Sequence, residues 1–122
     1  MNQRDVVILA GARTPQGKLN GSLSTLSAVE LGATALRAAI ERSGVEVTDI
    51  DAVIFGHVLQ AGTGQGPARQ TSIAAGIGFD VPAMTINKLC LSGLAAVIDG
   101  ARLIRAGEAE VGVVAQQHDL WV

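Results

Sequence analysis

The chain has 122 residues, 48% apolar and 16% charged, a length and composition that suit one compact domain and exclude a disordered segment. A formal charge of -2, with nine scattered basic residues, leaves no basic stripe to neutralise phosphates and argues against a nucleic-acid partner. No apolar run approaches the roughly 20 residues of a membrane helix, and Val6, Val7, Ile8, Leu9 and Ala10 are too short and poorly flanked for a signal peptide, so a cytoplasmic chain with no membrane partner is expected.

In chain order, residues 5–10 read as a first strand, because Val6, Val7, Ile8 and Leu9 form a continuous apolar run of the kind covered on both faces. Residues 11–20 leave it as a loop. Ser27 followed by Glu30 is a capping box, and Leu31, Ala35, Ala38 and Ala39 recur at helical spacing until Gly44 stops the helix. Residues 52–55 form a second strand, and residues 56–66 a glycine-rich loop. Pro67 suits the first position of a short helix ending near Gly76. Residues 83–87 read as a third strand, residues 90–106 as a helix closed by Gly107, and residues 111–115 as a fourth strand. The alternation β-α-β-α-β-α-β places the chain in the α/β class with a mostly parallel sheet and right-handed crossovers.

The last helix is unusual in composition. Between Leu91 and Ala101 only Ser92 and Asp99 are polar, while Gly93, Ala95, Ala96, Gly100 and Ala101 are small. A sheet covers one side of such a helix, so a second partner surface is expected on the other.

Cys90 is the only cysteine, so it forms no internal disulfide, and with two histidines it makes no zinc-spaced cluster. It falls where the third strand turns into the last helix. There the first free amides and the positive end of the helix dipole favour a thiolate and offer donors to an oxyanion. Position alone leaves a reactive thiol and a small packing residue evenly matched.

The flanking residues decide between them. Asn87-Lys88-Leu89-Cys90-Leu91-Ser92-Gly93 closely resembles the nucleophile motif of the thiolases, Asn-x-x-Cys-x-Ser-Gly. Ala12-Arg13-Thr14-Pro15-Gln16-Gly17 resembles that family's opening loop. Gly56-His57-Val58-Leu59-Gln60-Ala61-Gly62 and Gly64-Gln65-Gly66-Pro67-Ala68-Arg69-Gln70 resemble the loop after its second strand, and the helix from Leu26 to Gly32 also fits. The resemblance implies an amino-terminal half-domain of the thiolase fold over residues 1–115. It implies acyl transfer between coenzyme A thioesters through an acyl-enzyme on Cys90, followed by Claisen condensation or its reverse. Cys90 is then the nucleophile and its own backbone N–H an oxyanion donor. Acyl-CoA and acetyl-CoA are the implied substrates, no metal or redox cofactor is needed, and the complete protein is expected to be a homo-oligomer.

The family has Asn where this chain has Gly66, and often Gly where it has Leu91, which would crowd the entrance beside Cys90. After Val113-Val114-Ala115 the family continues with a glycine pair and Glu-Ser-Met, whereas here Gln116-Gln117-His118-Asp119-Leu120-Trp121-Val122 follows, so residues 116–122 read as a divergent tail. The family's His-Pro-x-Gly segment and the Cys-x-Gly-Gly loop with its acid/base cysteine have no counterpart in these residues. The chain is therefore expected to be a truncated, inactive portion of an acetyl-CoA acetyltransferase. The alternatives are a non-catalytic partner of full-length thiolase subunits and a small thiol-based redox or acyl-carrier module.

Other signals read as structural. The glycines from Gly62 to Gly66 match neither dinucleotide nor P-loop spacing and form a loop. His57 reads as a loop histidine at a strand end, His118 as an exposed tail residue, and Arg13 and Arg69 as loop anchors or interface residues.

Overall fold

A computed structural model describes residues 4–117. Of the expected tail, His118 and the rest of residues 118–122 lie outside the described residues, while Gln116 and Gln117 belong to a strand. Helix α1 spans Ala28–Ser43, strand β1 Ala52–His57, helix α2 Pro67–Ala74, strand β2 Ala83–Ile86, helix α3 Ser92–Ala106 and strand β3 Gly112–Gln117. The strands form one parallel sheet in the order β2-β1-β3. The α/β class and the parallel sheet are as the alternation implies.

Local chemistry sets the helix ends. Ser27 Oγ accepts from Glu30 N at 3.1 Å while Glu30 Oε2 accepts from Ser27 N at 2.8 Å, so the capping box closes and α1 starts there. These hydrogen bonds hold the Glu30 carboxyl below its ordinary range. Gly44 takes the left-handed conformation that ends the helix. Pro67 opens α2, where its missing N–H costs nothing.

The alternating faces of the strands sort the layers. Val53 and Phe55 of β1 face α1 and α2, in a core with Leu36, Ile50, Ala68, Ile77 and Val81. Gly56, Val114 and Gln116 face α3, against Ser92, Gly100 and Gly93 respectively. Full burial of a side chain such as Phe55 or Val53 stabilises by roughly 1.5–3 kcal/mol, so the α1/α2 face carries much of the stability.

Three differences from the sequence reading have physical causes. Residues 5–10 do not form a strand: the segment has no ladder partner among the described residues, and Ile8 is 84% exposed. It shares with β3 the lining of a cavity of about 790 Å³, to which Val6, Ile8, Ala10, Val113 and Ala115 contribute among others. An apolar run signals burial without naming a partner strand. Second, α3 begins at Ser92 rather than Cys90, because residues 88–91 are spent on a tight turn. Third, β3 continues to Gln117 instead of ending at Ala115, since Gln116 and Gln117 remain in register with Gly56 and His57.

Candidate active site

The connections from β1 through α2 to β2, and from β2 through α3 to β3, use opposite faces of the sheet. The carboxyl ends of the strands therefore border a crevice where the chain changes face, the usual place for a site in such a sheet. The Cys90 turn lies at that edge, just beyond β2.

Residues 87–92 are knotted by side-chain hydrogen bonds. Asn87 Nδ2 donates to Val58 O at 2.9 Å, tying the loop after β2 to the loop after β1, while its Oδ1 accepts from Leu89 N at 3.0 Å. Ser92, fully buried, accepts from Lys88 N at 2.8 Å and donates to Leu89 O at 2.6 Å, closing the turn from the far side. Within this frame Leu89 is held at φ 53°. A β-carbon in that left-handed region costs about 1–2 kcal/mol, which the latch on either side must offset. The result is a sharp elbow with Cys90 next to its strained residue and its side chain exposed.

The expected pool of free amides at the helix start is smaller than the sequence suggests. Leu91 N donates to Lys88 O at 3.1 Å, Ser92 N to Leu89 O at 3.0 Å, and Gly93 N to Gln116 Oε1 at 2.6 Å. The helix-start amides at 91–93 are thus committed. The nose of α3 also sits hard on the sheet: a β-carbon on Gly56 would stand 2.6 Å from Ser92 Cβ and 2.7 Å from its carbonyl carbon.

On the opposite face of the sheet lies a buried polar cluster. The Gln117 side chain reaches Thr71 Oγ1 at 2.8 Å and approaches His57 Nδ1 at 3.4 Å, and all three residues are buried. His57 is thus a buried strand residue, not a loop histidine. It faces α1 and α2, whereas its neighbour Gly56 faces the elbow, so its ring points away from the side that carries Cys90. Gly62, Gly64 and Gly66 all have positive φ, and Gln70 Nε2 holds their loop by donating to Thr63 O at 2.8 Å and Gln65 O at 3.0 Å. Arg13 donates to Thr14 O at 3.3 Å, a local anchor. Arg69 lies on α2 rather than in a loop, and its Nη1 is buried with no acceptor among the described residues.

The elbow brings together Asn87, Cys90 and Ser92 from the quoted motif; His57, Arg13 and Arg69 are not shown joining it. Sequence reasoning missed Gln116, Gln117 and Thr71. Nothing local marks them: the two glutamines look like the start of a tail, and Thr71 like an ordinary helix residue.

Comparison with known proteins gives the elbow its context. The family profile described as "Thiolase, N-terminal domain" matches residues 6–117. A probable acetyl-CoA acetyltransferase of Mycobacterium tuberculosis is 55% identical over 114 residues, 93% of this chain and 29% of the relative. An acetyl-CoA acetyltransferase of Cupriavidus necator is 53% identical over 116 residues, 95% of this chain and 30% of the relative. The crystal structure of a thiolase from Ascaris suum in complex with coenzyme A superposes with a TM-score of 0.90 at 42% identity, covering 91% of this chain and 29% of that one. The chain thus spans under a third of the length of the relatives it matches.

Proposed function

Because this chain belongs to the thiolase N-terminal domain family, we propose that Cys90 is the acyl-accepting nucleophile of a thiolase-type acetyl-CoA acetyltransferase and that these residues form the nucleophile part of its site. The observation that carries the reading is the elbow: an exposed thiol beside a left-handed Leu89, clamped from both sides by Asn87 and Ser92. Such strain is kept only where the surroundings enforce it, and it collects at functional sites.

In the first half-reaction the Cys90 thiolate attacks the thioester carbonyl of an acyl-CoA, with the Cys90 backbone N–H as one donor to the oxyanion. The carbon–sulfur bond to coenzyme A then breaks. The acyl group remains on Cys90, and coenzyme A leaves as a thiol carrying the proton Cys90 gave up. The condensation half-reaction needs a base for the second acetyl-CoA, and His57, which faces the other side of the sheet, does not supply it. These 122 residues on their own are therefore expected to acylate without turning over. The half-domain, expected over residues 1–115, takes in Gln116 and Gln117 in this reading, since β3 and the family match both run to residue 117. Localisation in the cytoplasm and homo-oligomeric assembly of the whole enzyme belong to it as well.

The test is incubation with acetyl-CoA followed by peptide mass spectrometry. An acetyl group on the Cys90 peptide, removed by hydroxylamine as thioesters are, supports the reading; a folded chain that stays unmodified overturns it. One observation favours a second reading, a non-catalytic partner of longer thiolase subunits. Leu91, just before α3, and Leu94, Val97 and Ile98 on it are exposed, Leu94 to 57%, and form an apolar face that needs a cover. Co-purification with a longer thiolase chain, together with no acetylation of Cys90, would favour that reading.

A further inference from the structure

β3 ends in two glutamines whose side chains leave opposite faces of the sheet. Gln117 turns to Thr71 and His57, and Gln116 turns to α3, where its Oε1 accepts from Gly93 N at 2.6 Å. Helix α3 has no cap of its own, since Leu91 at the N-cap position offers no side-chain acceptor. The first amides of a helix have no partner within it, and a cap residue normally supplies one. Here the acceptor comes from a strand 23 residues downstream.

We infer that Gln116 is a positioning residue for the Cys90 elbow, capping the helix behind the cysteine from the neighbouring strand. The inference rests on the reading of Cys90 as the reacting thiol. Two further observations support it. A β-carbon on Gly93 would stand 2.9 Å from Gln116 Oε1 and 3.1 Å from its Cβ, so the absence of a side chain at Gly93 is what lets the amide reach the cap. The same end of α3 is in close contact with Gly56 of β1. The helix nose is therefore held at two points, by close packing on β1 and by a hydrogen bond from β3. Freed of either, α3 can tilt, and the elbow that precedes it moves too. With Gly93 N occupied, the amide left to serve an oxyanion at the elbow is that of Cys90 itself.

Gln116 Oε1 meets the backbone three residues beyond Cys90. The ionisable groups on the surrounding elements are Lys88 on the elbow, His57 on β1 and Arg69 on α2. β3 has none within 112–117, and the first on α3 is Asp99, about two turns along. A carboxylate in place of the Gln116 amide is thus a distinct local perturbation.

The experiment compares Gln116→Leu, Gln116→Gly and Gln116→Glu in the full chain, reading hydrogen exchange at the Gly93 amide and alkylation of Cys90 by iodoacetamide at pH about 7. Loss of the acceptor in the Leu and Gly variants is expected to speed Gly93 exchange about fivefold, the worth of a typical cap. Glutamate restores an acceptor and is expected to return the exchange to the wild-type rate. Because the elbow moves when α3 is freed, alkylation of Cys90 in the Leu and Gly variants is expected to depart from the wild-type rate by up to about fivefold. A cap that only stabilised the helix would leave that rate unchanged. Unchanged Gly93 exchange in both the Leu and Gly variants, or fast exchange with wild-type alkylation in both, would overturn the inference. Should the Leu and Gly variants fail to fold, the same two readings on Gln116→Asn, whose amide is one methylene too short for Gly93 N, decide. Alkylation needs only a thiol, so failure of acetyl-CoA to modify Cys90 would count against the nucleophile reading and not against the cap.

Discussion

Replacing Gly56 by alanine tests whether the elbow is seated on the sheet as described. The new β-carbon would lie 2.6 Å from Ser92 Cβ, 2.7 Å from Ser92 C and 3.0 Å from Gly93 N. Two of these atoms are backbone at the nose of α3, so no side-chain rotation relieves the clash. Ordinary carbon contacts lie near 3.5–4.0 Å, so the helix start must retreat by roughly 1 Å. Overpacking of this kind costs about 1–3 kcal/mol. Against it, alanine restricts the unfolded chain and returns about 0.4–1 kcal/mol. The net expectation is a loss of about 1–2 kcal/mol in urea unfolding. The retreat also pulls on the Ser92 latch, so Cys90 alkylation is expected to change along with stability. Gly11→Ala is the control, because a β-carbon there meets nothing within 4 Å; it is expected to be neutral. Should Gly56→Ala unfold at the wild-type urea concentration and alkylate at the wild-type rate, α3 does not rest on β1 as described, and the account of the elbow is wrong.

Ser92→Ala removes the acceptor of Lys88 N and the donor to Leu89 O. It is expected to cost about 1–2 kcal/mol in chemical denaturation and to release Leu89 from its left-handed conformation, visible as a changed Leu89 amide shift by NMR. Asp51 Oδ2 accepts from Glu110 N at 2.7 Å and Val111 N at 3.1 Å, which lowers its carboxyl from the ordinary 3.8. A lowered carboxyl contributes stability that is present above the unfolded value and lost as pH falls through the folded one. The gap in urea midpoint between wild type and Asp51→Asn is therefore expected to be full at pH about 6 and to shrink below pH about 4; a gap that stays constant with pH would contradict this. Ser27→Ala is expected to cost about 1 kcal/mol by opening the α1 capping box, measurable as a lower melting temperature.

Much of the architecture was legible because its signals are local. Ser27, Glu30 and Gly44 mark both ends of α1 within the helix's own sequence, and Pro67 marks the start of α2. What failed to show depends on distant partners. Val6 to Leu9 have the composition of a buried strand, but no sequence pattern states which strand would lie alongside them, and β3 does not. The start of α3 reads two residues early because neither the turn over residues 88–91 nor the acceptor from Gln116 on another strand leaves a mark near Leu91. Of the candidate site, Cys90 and its motif neighbours were readable. Ser92 was visible as part of the motif but not as the two-bond latch, since that role depends on the left-handed backbone of Leu89. His57 was misplaced for a similar reason: only the register of β1 with β3 sets it opposite Gln117, inside the α1/α2 layer.

Acceptance of an acyl group by Cys90 from a coenzyme A thioester, without turnover in these residues alone, is read from the time course of free coenzyme A released on mixing the purified chain with acetyl-CoA, with Cys90→Ala in parallel. A rise to about one equivalent per chain followed by a plateau is expected, with no release from the variant. No burst from the wild-type chain, or equal release from both proteins, would contradict it.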